Sequence, residues 1–493
     1  MKTKILVIAC IIISAPLFYS FCGFYVSKAD GTLKNKTSQV ILVRDGNKTV
    51  ITMYNDFQGD SKDFAMVVPV PVVLKKDEIH VVDQSIFQRL NDYSAPRLVE
   101  YYDENPCNRN YKDDAKGAPL SALQEVLVTS PSGMNRKMRG VTIEAKYLVG
   151  EYDILILSAK ESTGLKSWLI ENGYKIPPGA EEVLEPYIKS NLKFFVVKVN
   201  EEEKKKLPGN FLRPLQISFN SPKFMLPIRL GMANAEGDQD LIVYAFTRKG
   251  RIECTNYRNV NIATDKNVPL FVKKNFSAFY TSLFTNQWKN EDKSIGFLEY
   301  AWDVSPANYY HCDPCIATAP SQQDLVQSGV WWLNKDWNDY TDVLNSNEEE
   351  DYDNKNVHFT RLHFRYNRKS FPQDLMFQVT PNKETFQARY IITHPATGSL
   401  SCDAGKQYLQ QLRKRRKDEL RELTALTGKN IDDWQDDANA KNDEEFVTEA
   451  QYAALLPEVR SDMDKENHSP AGIIFLAATI LGTGGILRWK GLV

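Results

Sequence analysis

Cys312-Asp-Pro-Cys315 is the stretch whose residue types and spacing suit covalent chemistry. Two thiols this close can shut a small disulfide ring, and lowering the pKa of one makes it a nucleophile. A redox fold built on such a motif also needs a strand leading in and a helix leading out. A strand expected over residues 297–303 precedes it, but residues 307–311 intervene and 317–320 start no helix. A structural disulfide is therefore the leading reading. Metal is another: His311, Cys312 and Cys315 adjoin, and His394 or Cys402 would complete a tetrahedral zinc site. His358 and His363 fall on opposite faces of an expected strand and make a poor ligand pair.

The other cysteines speak to compartment. Seven are present, and Cys10 lies in an apolar leader over residues 5–18, preceded by Lys2 and Lys4. Such a leader reads as an export signal over residues 1–20. The remaining six, Cys22, Cys107, Cys254, Cys312, Cys315 and Cys402, are an even set that an oxidising compartment could pair fully. Cys22 and Cys107 bracket the first β unit and are expected to bond to each other. At the far end, residues 471–487 carry no charge and are followed by Arg488, Trp489 and Lys490. That run is at the short limit for a spanning helix, and its basic, Trp-bearing flank suits a cytoplasmic face. The expected topology is exported and membrane-anchored, with the bulk of the chain extracytoplasmic and the membrane met through the C-terminal helix.

Composition narrows the function classes. A net charge of −2 lacks the basic excess of a general nucleic-acid binder, so no nucleic-acid partner is expected. No nucleophile-elbow, zincin, phosphate-loop or dinucleotide motif occurs, and no cofactor is expected. Glu236-Gly-Asp-Gln-Asp240 is acidic but lacks the ligand spacing of a calcium loop. The aromatics from Phe276 to Trp337 suit a buried core first and a glycan-stacking platform second. The basic run at residues 413–417 reads as a solvated helix face, with anionic lipid or polymer as the alternative.

The frame that positions these residues is mostly β. Residues 40–44 and 49–54 read as a hairpin turning at Asp45-Gly46-Asn47. Residues 63–74 hold Pro69 and Pro71 in an apolar run, a strand expected to be covered on both faces. Its proline-bearing edge should lack a regular ladder, while the other edge pairs through Val68, Val70 and Val72. Strands are also expected near 142–148, 152–157, 192–199, 215–219, 241–247 and 357–366, with helices near 164–172, 180–190 and 406–426. No helix alternates with each strand, so a doubly wound sheet is excluded. The fold class is α+β, mostly antiparallel sheet with a few segregated helices, plus the C-terminal transmembrane helix. Consecutive segments follow: an N-terminal β unit (21–119), an α+β unit (120–262), an aromatic-rich β unit (263–402), a charged helix (403–429) and an acidic stalk (430–470).

Several ordered motifs also carry a family resemblance. They are Phe21-Cys-Gly-Phe-Tyr-Val26, Phe64-Ala-Met-Val-Val-Pro-Val-Pro71, Ala95-Pro-Arg-Leu-Val-Glu-Tyr101 and Asn105-Pro-Cys107. Leu230-Gly-Met-Ala-Asn-Ala-Glu-Gly-Asp238, Glu299-Tyr-Ala-Trp-Asp303, Cys312-Asp-Pro-Cys315 and Thr360-Arg-Leu-His363 follow. From about residue 21 to about 429 the chain resembles the bacterial exported family known as domain of unknown function 2330. That resemblance implies export and supplies no activity. The functional expectation is an envelope binding or structural module, not an enzyme, whose partner is an envelope protein or a glycan. The alternative is an envelope thiol-disulfide or zinc-dependent enzyme using Cys312 and Cys315.

Overall fold

The computed structural model describes residues 24–25, 37–54, 65–107, 137–138, 141–172, 180–207, 212–233, 237–306, 317–333, 355–430 and 434. The leader, residues 430–470 beyond Asn430 and Trp434, and the apolar run at 471–487 lie outside them. Among the described residues no helix is long and apolar enough to cross a membrane. The fold is α+β and mostly β, with antiparallel pairings in the majority.

The chain divides into two compact units. Each draws on separated stretches, whereas the sequence reading cuts the chain into consecutive segments. The first unit takes residues 1–95, 125–262 and 291–387. Its nine-stranded sheet runs in the order Arg258–Asn261, Ile295–Asp303, His358–Tyr366, Gln239–Thr247, Thr37–Asp45, Lys48–Met53, Leu215–Asn220, Ile79–Val81, with Phe386–Gln387 pairing to Ile295–Asp303. Thr37–Asp45 and Lys48–Met53 form the expected hairpin, where Gly46 takes φ +55°, a left-handed value that costs glycine nothing. Gln239–Thr247 lies parallel to Thr37–Asp45 and antiparallel to His358–Tyr366.

A six-stranded sheet faces it, ordered Phe24–Tyr25, Ala65–Val70, Lys193–Val199, Tyr152–Ala159, Val141–Val149, Lys137–Met138. Alternation along the strands makes a layered core. Val40, Leu42 and Ile51 of one sheet pack with Met66, Val68, Val70, Ile156 and Phe195 of the other. The outer face of the six-stranded sheet, with Val67, Phe194 and Val196, is covered by helices Ser162–Glu171 and Ala180–Lys189 through Leu165, Trp168, Leu169 and Leu184. The outer face of the nine-stranded sheet, with Ile41, Val43, Tyr244 and Phe359, is covered by helix Ser85–Ser94 through Ile86, Phe87, Leu90 and Tyr93. The unit is a helix–sheet–sheet–helix stack, which leaves each sheet buried on both faces.

The proline-bearing strand is buried as expected, but shorter. It ends at Val70; Pro71 is half-buried, and Val72 and Val73 are exposed, so Val72 pairs with nothing in the ladder. Its ladder to Lys193–Val199 runs along the whole strand, and on its other edge Val67 and Met66 pair with Phe24 and Tyr25. The positions that would face Pro69 on that edge lie outside the described residues, and with them the expected gap in the ladder.

The second unit takes residues 96–124, 263–290 and 388–493. Its described part holds an all-parallel sheet of Lys266–Asn267, Arg389–His394 and Arg97–Tyr102, with helices Phe276–Asn290 and Asp403–Thr427. Phe276–Asn290 corrects the expectation of an aromatic-rich β unit. Phe279, Leu283, Phe284 and Trp288 are buried at helical spacing, and Phe279 meets Tyr390 edge-on at 5.0 Å. The Asn286 amide donates to the carbonyls of Ala425 and Leu426, closing the end of the long helix, and Gly428 follows at φ +65°.

Candidate functional site

A dense cluster of titratable side chains lies inside the first unit, on the helix-covered face of the nine-stranded sheet. Arg361, His363 and Arg365 alternate along one strand, and register sets Tyr244, Ile242 and Asp240 opposite them in turn. The neighbouring strand carries a β-bulge between Leu298, paired with Leu362, and Tyr300, paired with Arg361. Glu299 is the extra residue. A bulge re-aims a side chain, and this one turns a fully buried carboxylate between Arg361 and His363.

Every charge in the cluster is answered. Arg361 Nε donates to Glu299 Oε2 at 2.6 Å, and its Nη1 donates to Asn91 Oδ1 at 2.9 Å and Ser94 Oγ at 3.4 Å. That guanidinium also sits 5.4 Å from the Tyr244 ring centroid. His363 Nδ1 lies 2.7 Å from Glu299 Oε1, and its Nε2 lies 3.6 Å from Asp240 Oδ1, an ion-pair separation. Arg365 clasps Asp240 through Nε at 2.7 Å and Nη2 at 3.0 Å. Burial alone would pull the His363 pKa down, but the Glu299 and Asp240 carboxylates outweigh it and hold it above the ordinary value. Asp240 feels burial pushing up, outweighed by His363 and Arg365, and falls to about 2. Burial lifts the Tyr244 phenol to about 12.

Both ring nitrogens of His363 thus face carboxylates. The arrangement favours the protonated form of His363 and ties helix Ser85–Ser94 to the sheet through Arg361. The raised pKa fixes the sign of its pH dependence. The contribution of His363 is complete below the unfolded value of about 6.5 and is lost as pH rises through the higher folded value. Asp240 runs the other way, its contribution failing only as pH falls toward about 2. The stability gap between the parent chain and His363→Gln, read from urea midpoints, should therefore shrink from about pH 6 to about pH 9. A gap that stays constant would remove the raised proton from the account.

The second unit holds another charged cluster, along helix Asp403–Thr427. Asp103 accepts from Tyr408 Oη at 2.6 Å and from both terminal nitrogens of Arg415. Burial pushes the Asp103 carboxyl up, but Arg415 and Tyr408 bring it below the ordinary value. Arg416 is buried, donating to Glu419 Oε2 at 2.7 Å and to the Thr393 carbonyl at 2.9 Å. Burial of Glu419 outweighs Arg416 and lifts its pKa. This corrects the solvated-face reading of residues 413–417: Arg413 and Lys414 are exposed, Arg415 and Lys417 half-buried, Arg416 enclosed. Beside the cluster lies a hollow of about 440 Å³. Its walls mix Lys266, Lys414 and Arg415 with Asp265, Asp418, Glu419 and Glu422. Lys266 pairs with Glu422 at 3.0 Å, so the hollow favours neither sign of ligand.

The structure joins Cys107 to Cys402, with Cα atoms 5.9 Å apart. The expected Cys22–Cys107 bond is thereby overturned: Cys107 is committed to a partner 295 residues along the chain. Cys402 is likewise withdrawn from any zinc site. Full pairing also fails, because Cys254 is a free thiol buried in the core between the sheets. Cys22, His311, Cys312 and Cys315 lie outside the described residues. His394 Nε2 meets Glu100 Oε2 at 2.8 Å, and its ring stacks on Tyr102 at 4.4 Å. Among the described residues no group of three or more His, Cys, Asp or Glu is arranged to hold a metal ion. Of the aromatics weighed as a glycan platform, Phe279, Phe284, Trp288 and Trp332 are buried, and Tyr309, Tyr310 and Trp337 lie outside the described residues.

The sequence reading dismissed His363 as a metal ligand, weighed Asp240 only within an acidic run, and gave Glu299, Arg361 and Arg365 no chemical role. The available signal was Arg361, His363 and Arg365 at alternate positions of one strand, which puts three cationic side chains on a single face.

A family described as an uncharacterized protein conserved in bacteria (DUF2330) matches residues 16–378. No curated protein and no solved structure matches the chain.

Proposed function

We propose, from the premise that this chain belongs to the DUF2330 family of uncharacterized bacterial proteins, that it is an exported, C-terminally anchored envelope protein. On this reading it acts as a binding or structural module. The Cys107–Cys402 pairing carries the proposal. Disulfides of this kind form and persist outside the reducing cytoplasm, and this one joins residues 295 apart in sequence. Lys2 and Lys4 before the apolar leader, and the basic residues after 471–487, agree with the same topology. Residues 430–470 would then form an acidic stalk between the second unit and the membrane, and the partner would be an envelope protein or a glycan.

Topology is the part to test first. A cysteine introduced at Asp443 and treated in intact bacteria with a maleimide that cannot cross membranes should be labelled. Labelling that appears only after lysis would place the stalk in the cytoplasm and end the proposal.

A further inference from the structure

We propose that the Cys107–Cys402 bond is a thiol-exchange site, opened by attack on the Cys107 sulfur with Cys402 leaving as thiolate. Cys402 is the N-cap of helix Asp403–Thr427, and its sulfur accepts the Gly405 N–H at 3.2 Å. A helix start presents unsatisfied N–H groups and partial positive charge, which favour a thiolate over a thiol. The one acidic group of the first turn, Asp403, is highly exposed and answered by Lys406 at 2.9 Å, which blunts its opposition. Cys107 is held differently. Its N–H donates to Asn105 Oδ1 at 2.8 Å, and the Asn105 amide donates to the carbonyls of Thr397 and Ser399. Among the described residues no N–H is aimed at its sulfur.

Gly405 makes the geometry possible. A Cβ there would stand 2.4 Å from the Leu400 carbonyl oxygen and 2.9 Å from the Cys107 sulfur. The bond therefore lies directly against the start of the helix, and neither cysteine is fully buried. The sulfur with the better stabilised thiolate is the better leaving group. An external thiolate bonds to Cys107 Sγ, the S–S bond breaks, and its electron pair departs on Cys402. A second thiol of the same dithiol then displaces Cys107, giving up its proton to it. The external dithiol is oxidised, and the cystine of this chain is reduced by two electrons.

The inference rests on the same pairing that carries the export reading, and one experiment separates them. The oxidised full-length chain is exposed briefly to reduced glutathione, quenched with an alkylating agent, and its cysteine peptides are weighed. The glutathione adduct should fall on Cys107 in roughly fivefold excess over Cys402, which should be alkylated. Thiolate absorbance should also rise at lower pH in Cys107→Ser than in Cys402→Ser. A bond that resists glutathione until the chain is unfolded, an adduct on Cys402, or the reverse order of titration overturns the inference alone. Recovery of both cysteines as free thiols from the chain as it occurs in the bacterium would end the inference and also remove the pairing on which the export reading stands.

Discussion

Arg361→Ala should destabilise the first unit by about 3–5 kcal/mol, because it takes a cationic partner away from a buried carboxylate. Glu299 is fully buried and takes its 2.6 Å bond from Arg361 Nε. With Arg361 gone, the contact from His363 remains, and Asn91 and Ser94 lose the donor that anchors helix Ser85–Ser94. The size of the effect does not mean that the pair itself stabilises the fold so strongly. Two charges brought out of water recover little more than their desolvation cost, so most of the loss comes from leaving one behind. The double variant Glu299→Gln, Arg361→Met should accordingly stand closer to the parent than Arg361→Ala does. Urea midpoints at neutral pH decide the matter. An Arg361→Ala midpoint equal to the parent's would show that water reaches Glu299 and that the cluster is not closed.

The bulge explains why this cluster was hard to read in the sequence. Strict alternation along Ile295–Asp303 would put Glu299 on the opposite face from Leu298 and Tyr300, and only the slip in register brings Glu299 and Tyr300 to the same side. Nothing in Glu-Tyr-Ala-Trp announces a bulge. The hairpin at Gly46, the strand around Tyr152 and the paired helices that cover the six-stranded sheet were legible, because each is written in local periodicity and turn chemistry. Phe276–Asn290 was missed for another reason. Its Phe, Ser, Thr and Asn content is poor in helix formers, and density of aromatics suggested sheet, yet the spacing of Phe279, Leu283, Phe284 and Trp288 is helical. Tertiary packing against Tyr390 outweighed propensity. The disulfide was illegible in principle, since partners 295 residues apart leave no local trace.

Val70→Asp should cost at least about 3 kcal/mol, while Val72→Asp should stay within about 0.5 kcal/mol. The two valines are separated only by Pro71 and look alike in sequence, yet Val70 is 1% exposed and Val72 36%. Val70 faces the core between the two large sheets, together with Met66, Val68 and Phe195. A carboxylate there meets apolar side chains from both sheets and must either stay charged without a partner or take up a proton. Two prolines set the boundary between the sites. Pro69 lies within the ladder to Lys193–Val199, opposite Phe194, while Pro71 falls one residue past the last paired position. The chain leaves the sheet there, and Val72 turns to solvent. Thermal melts of the two variants beside the parent measure the contrast. Equal melting of parent and Val70→Asp would mean that the sheets do not close over this strand, and a large loss at Val72→Asp would mean that they close beyond it.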